Sequence, residues 1–142
     1  MFLYWIDKER FGGSSQPHLT DLPFLQGLDL NGIICLQEKN NSEELAQLLG
    51  IAYLHQPIPD FGVPTEEDIE HILEFINSQQ ELNPKKPILI HCTAGNGRTG
   101  TILASLVKIF DKVNSSEAIA QIRKVNPLAI ETEEQEEFIR NL

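Results

Sequence analysis

Cysteine is scarce in this 142-residue sequence, and its two cysteines, Cys35 and Cys92, lie far apart. They form no Cys-x-x-Cys pair and no cluster with histidine, so the sequence indicates neither a disulfide framework nor a metal site. An unpaired thiol persists best in a reducing compartment, and we therefore expect a cytoplasmic protein.

Long apolar runs and basic residues are scarce as well. No segment approaches the roughly 18 consecutive apolar residues of a membrane-spanning helix. The apolar N-terminal segment meets the charged residues Asp7–Arg10 too early for a signal peptide. Lys and Arg number 11 against 21 Asp and Glu, which gives a formal net charge of −10. Nucleic acids and anionic membranes bind clustered Lys and Arg, so we expect neither as a partner.

The sequence does contain short apolar segments that alternate with amphipathic ones, over a length that suits one domain, residues 1–142. This alternation predicts an α/β fold with a central, mainly parallel sheet flanked by helices. Strands are predicted at the first residues, Ile33–Leu36, Ile51–Gln56 and Pro87–Ile90, and a turn at Gly12–Ser15. Helices are predicted at Leu19–Leu28, from Ser42, from Thr65, at Thr101–Val107, from Ser115 or Ser116, and at Glu133–Arg140.

The segment His91–Gly100 is the most informative part of the chain. It places Cys92 six positions before Arg98, around two glycines, between a predicted strand and a predicted helix. Backbone N–H groups gathered at a helix N-terminus bind phosphate-like anions, and the same helix end favours the thiolate form of a nearby cysteine. A nucleophile and an anion-binding loop are therefore expected in one segment.

This segment resembles the signature loop of the cysteine-dependent phosphatases, the protein tyrosine phosphatase superfamily. The alternative is a structural cysteine in a glycine-rich turn, which would leave Arg98 and the glycines unexplained. The resemblance implies that Cys92 is the nucleophile, that Thr99 hydrogen-bonds its sulfur, and that His91 orients it rather than acting as the base. The phosphate would be bound by Thr93, Ala94, Gly95, Asn96, Gly97 and Arg98.

A cysteine phosphatase also needs a proton donor for the leaving oxygen. Asp60 is the candidate, because it lies in the loop Pro57–Pro64, which is rich in proline and glycine. The number of residues between Asp60 and Cys92 is also similar to that between the general acid and the nucleophile in small dual-specificity phosphatases. A turn aspartate that stabilises local backbone is the alternative. Asp68 is the nearest rival, but it falls in the first turn of the next predicted helix.

A second supporting loop, Pro127–Gln135, resembles the family segment that positions the hydrolytic water. Many members carry glutamine where this chain has Glu131, whereas Gln135 matches a second glutamine of the pattern. The alternative is a helix cap at Thr132 followed by solvated acids, and both interpretations stay open. Cys35 in its apolar strand is expected to pack in the core, and a disulfide with Cys92 stays an open alternative.

The whole chain is most similar to the small, atypical dual-specificity phosphatases. The resemblance implies hydrolysis of phosphotyrosine and phosphoserine or phosphothreonine in a protein or peptide substrate, through a phosphocysteine intermediate and without cofactor. Tyrosine-only enzymes carry tryptophan in the acid loop, where this chain has Ile58. Phosphoinositide phosphatases usually place lysines inside the signature loop, where it has Thr93 and Asn96. A phosphoinositide or RNA 5′-triphosphate substrate and a non-enzymatic phosphate-binding module remain the alternatives.

Overall fold

A five-stranded mixed sheet forms the centre of the molecule in the computed structural model, which describes residues 1–142. The strand order is β1-β2-β5-β3-β4, with β1 antiparallel to β2 and every other neighbouring pair parallel. The predicted α/β fold with a mainly parallel sheet is confirmed. The strands are β1 Leu3–Asp7, β2 Phe11–Ser14, β3 Gly32–Cys35, β4 Ala52–His55 and β5 Ile88–His91.

Helices cover both faces of this sheet. Alternating side chains of the central strands separate the two cores, so that Ile34 and Ile90 join one core while Ile33 and Leu89 join the other. Every helix is too short or too polar to span a lipid bilayer. After a 3₁₀ turn at Leu19–Asp21, the helices are α1 Leu22–Gln26, α2 Glu43–Leu49, α3 Glu66–Leu82, α4 Gly97–Asp111, α5 Ser115–Val125 and α6 Glu133–Asn141.

The larger core lies between the sheet and helices α3 to α6, and its members are fully or almost fully buried. The smaller core lies under α1 and α2 on the other face. The helix α4 that follows the signature loop supplies the most residues to the larger core, including Ile102, Leu103 and Leu106. The loop is therefore anchored on both sides by buried elements, β5 before it and α4 after it.

The turn predicted at Gly12–Ser15 is wrong, because Gly12, Gly13 and Ser14 belong to the buried strand β2 and only Ser15 lies beyond it. The glycines allow close packing in the sheet rather than a reversal of the chain. A Cβ atom on Gly12 would lie 2.5 Å from Cε3 of Trp5, and one on Gly13 would lie 2.8 Å from Cγ2 of Thr99. Two large neighbours thus occupy the space that side chains would need.

Two helix starts also differ from the sequence prediction. Helix α4 begins at Gly97 rather than Thr101, so Arg98 and Thr99 lie in its first turn. Helix α5 is capped by Asn114, whose side chain accepts a hydrogen bond from the Glu117 N–H, rather than by either serine. Asparagine has the short acceptor side chain that satisfies the free N–H groups of a first turn. The boundaries shift, but the order of elements does not.

Candidate active site

The signature loop lies at the carboxyl edge of the parallel strands, where ligands bind in open α/β sheets. Strand β5 ends at His91 and α4 begins at Gly97, so the turn between them carries Cys92, which is 3% exposed. Gly95 adopts a φ of +85°, and a Cβ atom there would lie 2.6 Å from the carbonyl carbon of Ser14. Only glycine suits that position, because it is both left-handed and tightly packed.

The loop backbone leaves its N–H groups free, while all of its carbonyl groups except that of Ala94 accept hydrogen bonds. From Thr93 through Gly97 no backbone N–H makes a hydrogen bond within the protein. In a trans peptide the N–H points opposite to the preceding carbonyl, so tying the carbonyls on one side directs the N–H groups to the other. Four carbonyl groups of the loop accept hydrogen bonds: that of Cys92 from His91 Nδ1 (3.3 Å), that of Thr93 from the Gln16 N–H (3.0 Å), that of Gly95 from Tyr4 Oη (2.6 Å) and that of Asn96 from the Ile130 N–H (3.1 Å).

Arg98 is 3% exposed and is anchored at one corner of its guanidinium group. Nη1 donates to the carbonyl of Ile58 and to Oε1 of Glu38, each at 2.9 Å. Nη2 makes longer contacts, 3.2 Å to Oγ1 of Thr93 and 3.4 Å to Oδ1 of Asp60, and Nε makes none. The edge formed by Nε and Nη2 therefore remains available for a bidentate contact with an oxyanion.

The acid loop has a fixed base and an exposed tip. Ile58 is fully buried, and its N–H donates to the carbonyl of Leu36 at 3.0 Å. Two residues on, the Asp60 side chain is 60% exposed and faces Arg98. Phe61 follows with a φ of +59°, and its N–H donates to Oδ1 of Asp60 at 3.0 Å. The structure therefore brings the Asp60 carboxylate to the signature loop.

Asp68, the alternative candidate for the general acid, stabilises the start of helix α3 instead. Its Oδ2 accepts a hydrogen bond from the Thr65 N–H at 2.8 Å, which completes the capping box of α3. Its Oδ1 accepts a second hydrogen bond from Gln56 Nε2 at 2.8 Å. Both oxygens are therefore used in the fold, as expected from its place in the first turn of α3.

His91 is buried and electrically neutral near pH 7. Burial lowers its pKa from 6.5 to about 4. The neutral ring fits its two contacts, since Nδ1 lies 3.3 Å from the carbonyl oxygen of Cys92 and Nε2 lies 2.6 Å from Oγ of Ser42.

Thr99 Oγ1, also buried, has no hydrogen-bond partner in the protein. The hydroxyl proposed to hydrogen-bond the sulfur is thus still available.

The second supporting loop joins the signature loop to the acid loop. Oε1 of Gln135 accepts hydrogen bonds from the N–H groups of Glu131 (2.8 Å) and Thr132 (3.2 Å), while its Nε2 donates to the carbonyl of Gly62 (3.1 Å). The carboxylate of Glu131 lies against Gly97, where any side chain would collide with it. The structure shows the helix cap at Thr132, whereas a role of Glu131 or Gln135 in positioning water stays a prediction.

Cys35 lies in β3, and its thiol faces the loop that follows that strand. Its Sγ is 3.6 Å from the carbonyl of Lys39 and 3.9 Å from Oε1 of Gln37. Both cysteines are free, and Cys35 is fully buried as expected for packing. Its redox pairing with Cys92 stays a prediction. No group of three or more His, Cys, Asp or Glu side chains is arranged to hold a metal ion.

Several contacts of the site involve residues that the sequence did not single out. Glu38 follows β3 at the same sheet edge as Cys92, and that position could have indicated it once the strand order was known. No local sequence feature indicates the contacts of Ser42, Tyr4 and Asn126, because each residue reaches the site from a distant part of the chain. Hydrogen bonds of this kind become visible only when the elements are packed together.

A comparison with protein families assigns the class. The model of the PTP-SAK family, the Swiss Army Knife protein DSP-PTPase phosphatase domain, matches residues 1–139. The chain therefore belongs to this DSP-PTPase family of cysteine-dependent phosphatases, and the resemblance found in the sequence is confirmed. Family and fold together support cysteine-dependent phosphatase activity of the protein tyrosine phosphatase superfamily.

The chain is also similar to individual proteins and solved structures over most of its length. The chain is 33% identical over 122 residues to Uncharacterized protein MJ0215 of Methanocaldococcus jannaschii, covering 84% of this chain and 74% of that protein. It is similar to Tk-PTP in its active form, with a TM-score of 0.86, 30% identity, and coverage of 99% and 95% of the two chains. PTPMT1 in complex with PI(5)P shares the fold, with a TM-score of 0.87 at 20% identity over 99% and 94%.

Proposed function

We propose that this protein is a dual-specificity phosphatase that hydrolyses phosphate monoesters on proteins or peptides through a phosphocysteine intermediate. In the first step the Cys92 thiolate forms an S–P bond while the P–O bond to the leaving group breaks. Asp60 gives its proton to the departing oxygen, so that phenol or alcohol leaves rather than an anion. The Nε and Nη2 edge of Arg98 binds two phosphoryl oxygens, and the free loop N–H groups bind the rest of the charge.

In the second step water attacks phosphorus and the S–P bond breaks. Asp60, now a carboxylate, takes the proton from the water, and the thiolate and inorganic phosphate are released. The Thr99 hydroxyl has no other partner, which supports its proposed hydrogen bond to the departing sulfur. Glu131 borders Gly97 and is joined to the acid loop through Gln135, which supports a role for both in positioning that water.

The main support for the proposal is that one loop brings together Cys92, a row of free N–H groups and Arg98. The guanidinium group of Arg98 is held at Nη1 and leaves its Nε–Nη2 edge free. This arrangement accepts the tetrahedral phosphoryl group that all phosphate monoesters share. A non-enzymatic phosphate-binding module would need the anion loop alone. The neighbouring carboxylate of Asp60 supports an enzyme, because a general acid must lie beside the phosphate, whereas a module that only binds phosphate gains nothing from a nearby acid that repels it.

The substrate class follows from the charges around the loop. The pocket beside Thr93, about 230 Å³, is lined by Gln37, Glu38, Lys39 and Asn41, so one acid offsets its one base. Thr93 and Asn96 add no positive charge, and the chain carries a formal net charge of −10. These features favour a singly phosphorylated side chain over a multiply phosphorylated inositol lipid. A cytoplasmic protein with free thiols fits such a substrate, and we propose that location.

A turnover panel tests this proposal. We expect phosphotyrosine and phosphothreonine peptides to give higher kcat/KM than a soluble phosphoinositide of the kind bound by PTPMT1 or an RNA 5′-triphosphate. Cys35→Ser is the matched control for Cys92→Ser, because it removes the other buried thiol and leaves the loop intact. Preference for the phosphoinositide or the RNA would overturn the substrate class. Phosphate binding without turnover of any substrate would identify a binding module instead.

A further inference from the structure

The buried hydroxyl of Tyr4 has an unusual partner for a residue so near the start of the chain. Its Oη donates a 2.6 Å hydrogen bond to the carbonyl of Gly95, inside the signature loop. Tyr4 is 5% exposed, and burial raises its pKa, so the hydroxyl stays protonated and able to donate. Its ring reaches the loop over Gly13, where a Cβ atom would lie 2.7 Å from the Tyr4 Cζ.

A second donor reaches the same carbonyl from a segment distant in sequence, just after α5. Nδ2 of Asn126, the residue that ends α5, lies 3.4 Å from the Gly95 oxygen and 3.0 Å from Oδ1 of Asn96. Its own Oδ1 accepts from the Leu128 N–H at 3.2 Å, which fixes the orientation of the amide group. Asn126 is 2% exposed, so water does not compete for these bonds.

The orientation of one peptide depends on these two donors. Gly95 and Asn96 are joined by a trans peptide bond, since the chain contains no cis peptides. With the Gly95 carbonyl directed at Tyr4 and Asn126, the Asn96 N–H must point the opposite way. There it meets no acceptor in the protein. Gly95 has a φ of +85° and no side chain, so without an external tie this peptide could rotate with little resistance.

We infer that Tyr4 and Asn126 are positioning residues that aim the Asn96 N–H at the bound phosphoryl group. Neither residue makes a hydrogen bond to Cys92, and both act through the Gly95–Asn96 peptide. This inference rests on the proposed function, because it assumes that the loop binds a phosphoryl group. It adds that one of the N–H donors is set by residues of β1 and of the end of α5, outside the signature motif.

Inorganic phosphate is the probe for this inference, and the readout is the amide resonance of Asn96 in ¹⁵N-labelled protein. Phosphate should shift that resonance strongly in the wild type. Tyr4→Phe keeps the ring and removes only the hydroxyl, so we expect phosphate to bind about 10-fold more weakly, with a much smaller Asn96 shift. Asn126→Ala should give a smaller loss, about threefold, because its contact with the Gly95 carbonyl is longer.

Asn31→Ala is the matched control. Asn31 is also a buried asparagine that holds backbone carbonyls, those of Gln79, Asn83 and Lys86, but it lies far from the loop. It should lower the melting temperature and leave phosphate affinity and the Asn96 shift unchanged. Should Tyr4→Phe fail to fold, Asn126→Ala carries the same test.

The outcomes separate the two proposals. If the wild type binds no phosphate, the proposed function fails and the inference fails with it. If the wild type binds phosphate, but both folded variants bind equally well with the same Asn96 shift, only the inference is overturned. Weaker binding with an unchanged Asn96 shift also overturns it, because the loss would then not act through this peptide.

Discussion

The two loops that meet at Arg98 are built in opposite ways. In the signature loop Cys92 is 3% exposed, and three carbonyls accept hydrogen bonds from other parts of the chain, at Tyr4, Gln16 and Ile130. In the acid loop Ile58 and Pro64 are buried, while the Asp60 side chain is 60% exposed and its long contact with Arg98 is at 3.4 Å. A preorganised anion site thus lies beside a carboxylate that is only loosely held.

This difference matches the different demands of the two roles. Donors that stabilise a phosphoryl group are most effective when they need no rearrangement during the reaction. A general acid must approach a leaving group that varies in size, and it must later act on water. Gln135 limits this freedom, because it holds the carbonyl of Gly62 and so ties the acid loop to α6. Substitutions in the two loops should therefore fail in different ways.

Cys92→Ser should produce the largest effect, because it removes the nucleophile and leaves the anion site in place. We expect kcat to fall by at least about 10⁴-fold, while phosphate-ester binding survives. Steady-state kinetics and ligand binding on the same preparation measure both. Cys35→Ser should keep near wild-type turnover, and a Cys92→Ser variant within tenfold of the wild type would exclude covalent catalysis by this residue.

Arg98→Lys should produce the next largest effect. A lysine offers a point charge and cannot supply two donors along one planar edge, nor keep the anchor to Ile58 and Glu38 at the same time. We expect kcat/KM to fall by about 10²–10³-fold. Arg140→Lys, on the exposed surface of α6, is the control and should change little. A loss below tenfold at Arg98 would show that the bidentate contact is not needed.

Asp60→Asn should separate substrates by leaving group. A poor leaving group needs the proton, so phosphotyrosine and alkyl phosphates should slow by about 10²–10⁴-fold, while an activated aryl phosphate changes far less. Asp68→Asn is the comparison, since it should weaken the α3 cap and lower the melting temperature without any dependence on leaving group. If Asp60→Asn slowed all substrates equally, Asp60 would not be the general acid and would only stabilise the conformation of its loop.

The last expected effect concerns the pH dependence of folding stability and arises from His91. Its pKa is lowered from 6.5 to about 4 in the folded protein, so the unfolded chain binds more protons between these values. Stability should therefore be complete above pH 6.5 and fall as pH decreases toward 4, by roughly 3 kcal/mol from this group. Melting temperatures across this range should fall less steeply in His91→Asn than in the wild type. His71→Asn, at an exposed site on α3, should keep the wild-type slope.

The fold class and the two loops of the site could be predicted from the sequence because their signals are local. The Cys92 and Arg98 spacing, and the capping box at Thr65, each need only a few neighbouring residues. The strand β2 was missed because Gly12 and Gly13 are there to admit Trp5 and Thr99, a packing requirement that local composition does not reveal.

The residues that hold the loops were missed for a related reason. Tyr4 and Gly95 are separated by 91 positions, and Arg98 and Glu38 by 60. No spacing rule connects residues that meet only through the order of strands in the sheet. Ser42 likewise reaches His91 from the residue before α2. The residues proposed as nucleophile, general acid and phosphate-binding arginine could therefore be named from the sequence, whereas the groups that hold them in place could not.

The most direct test of the covalent role of the signature loop is to trap the intermediate. An activated aryl phosphate is mixed with the wild-type protein, the reaction is quenched in acid within one turnover, and the peptide that carries Cys92 is examined by mass spectrometry. We expect a phosphoryl adduct on Cys92 that forms at the rate of the initial burst and is absent in Cys92→Ser. Turnover at an undiminished rate with no adduct on Cys92, or with the adduct on another residue, would contradict the proposed mechanism.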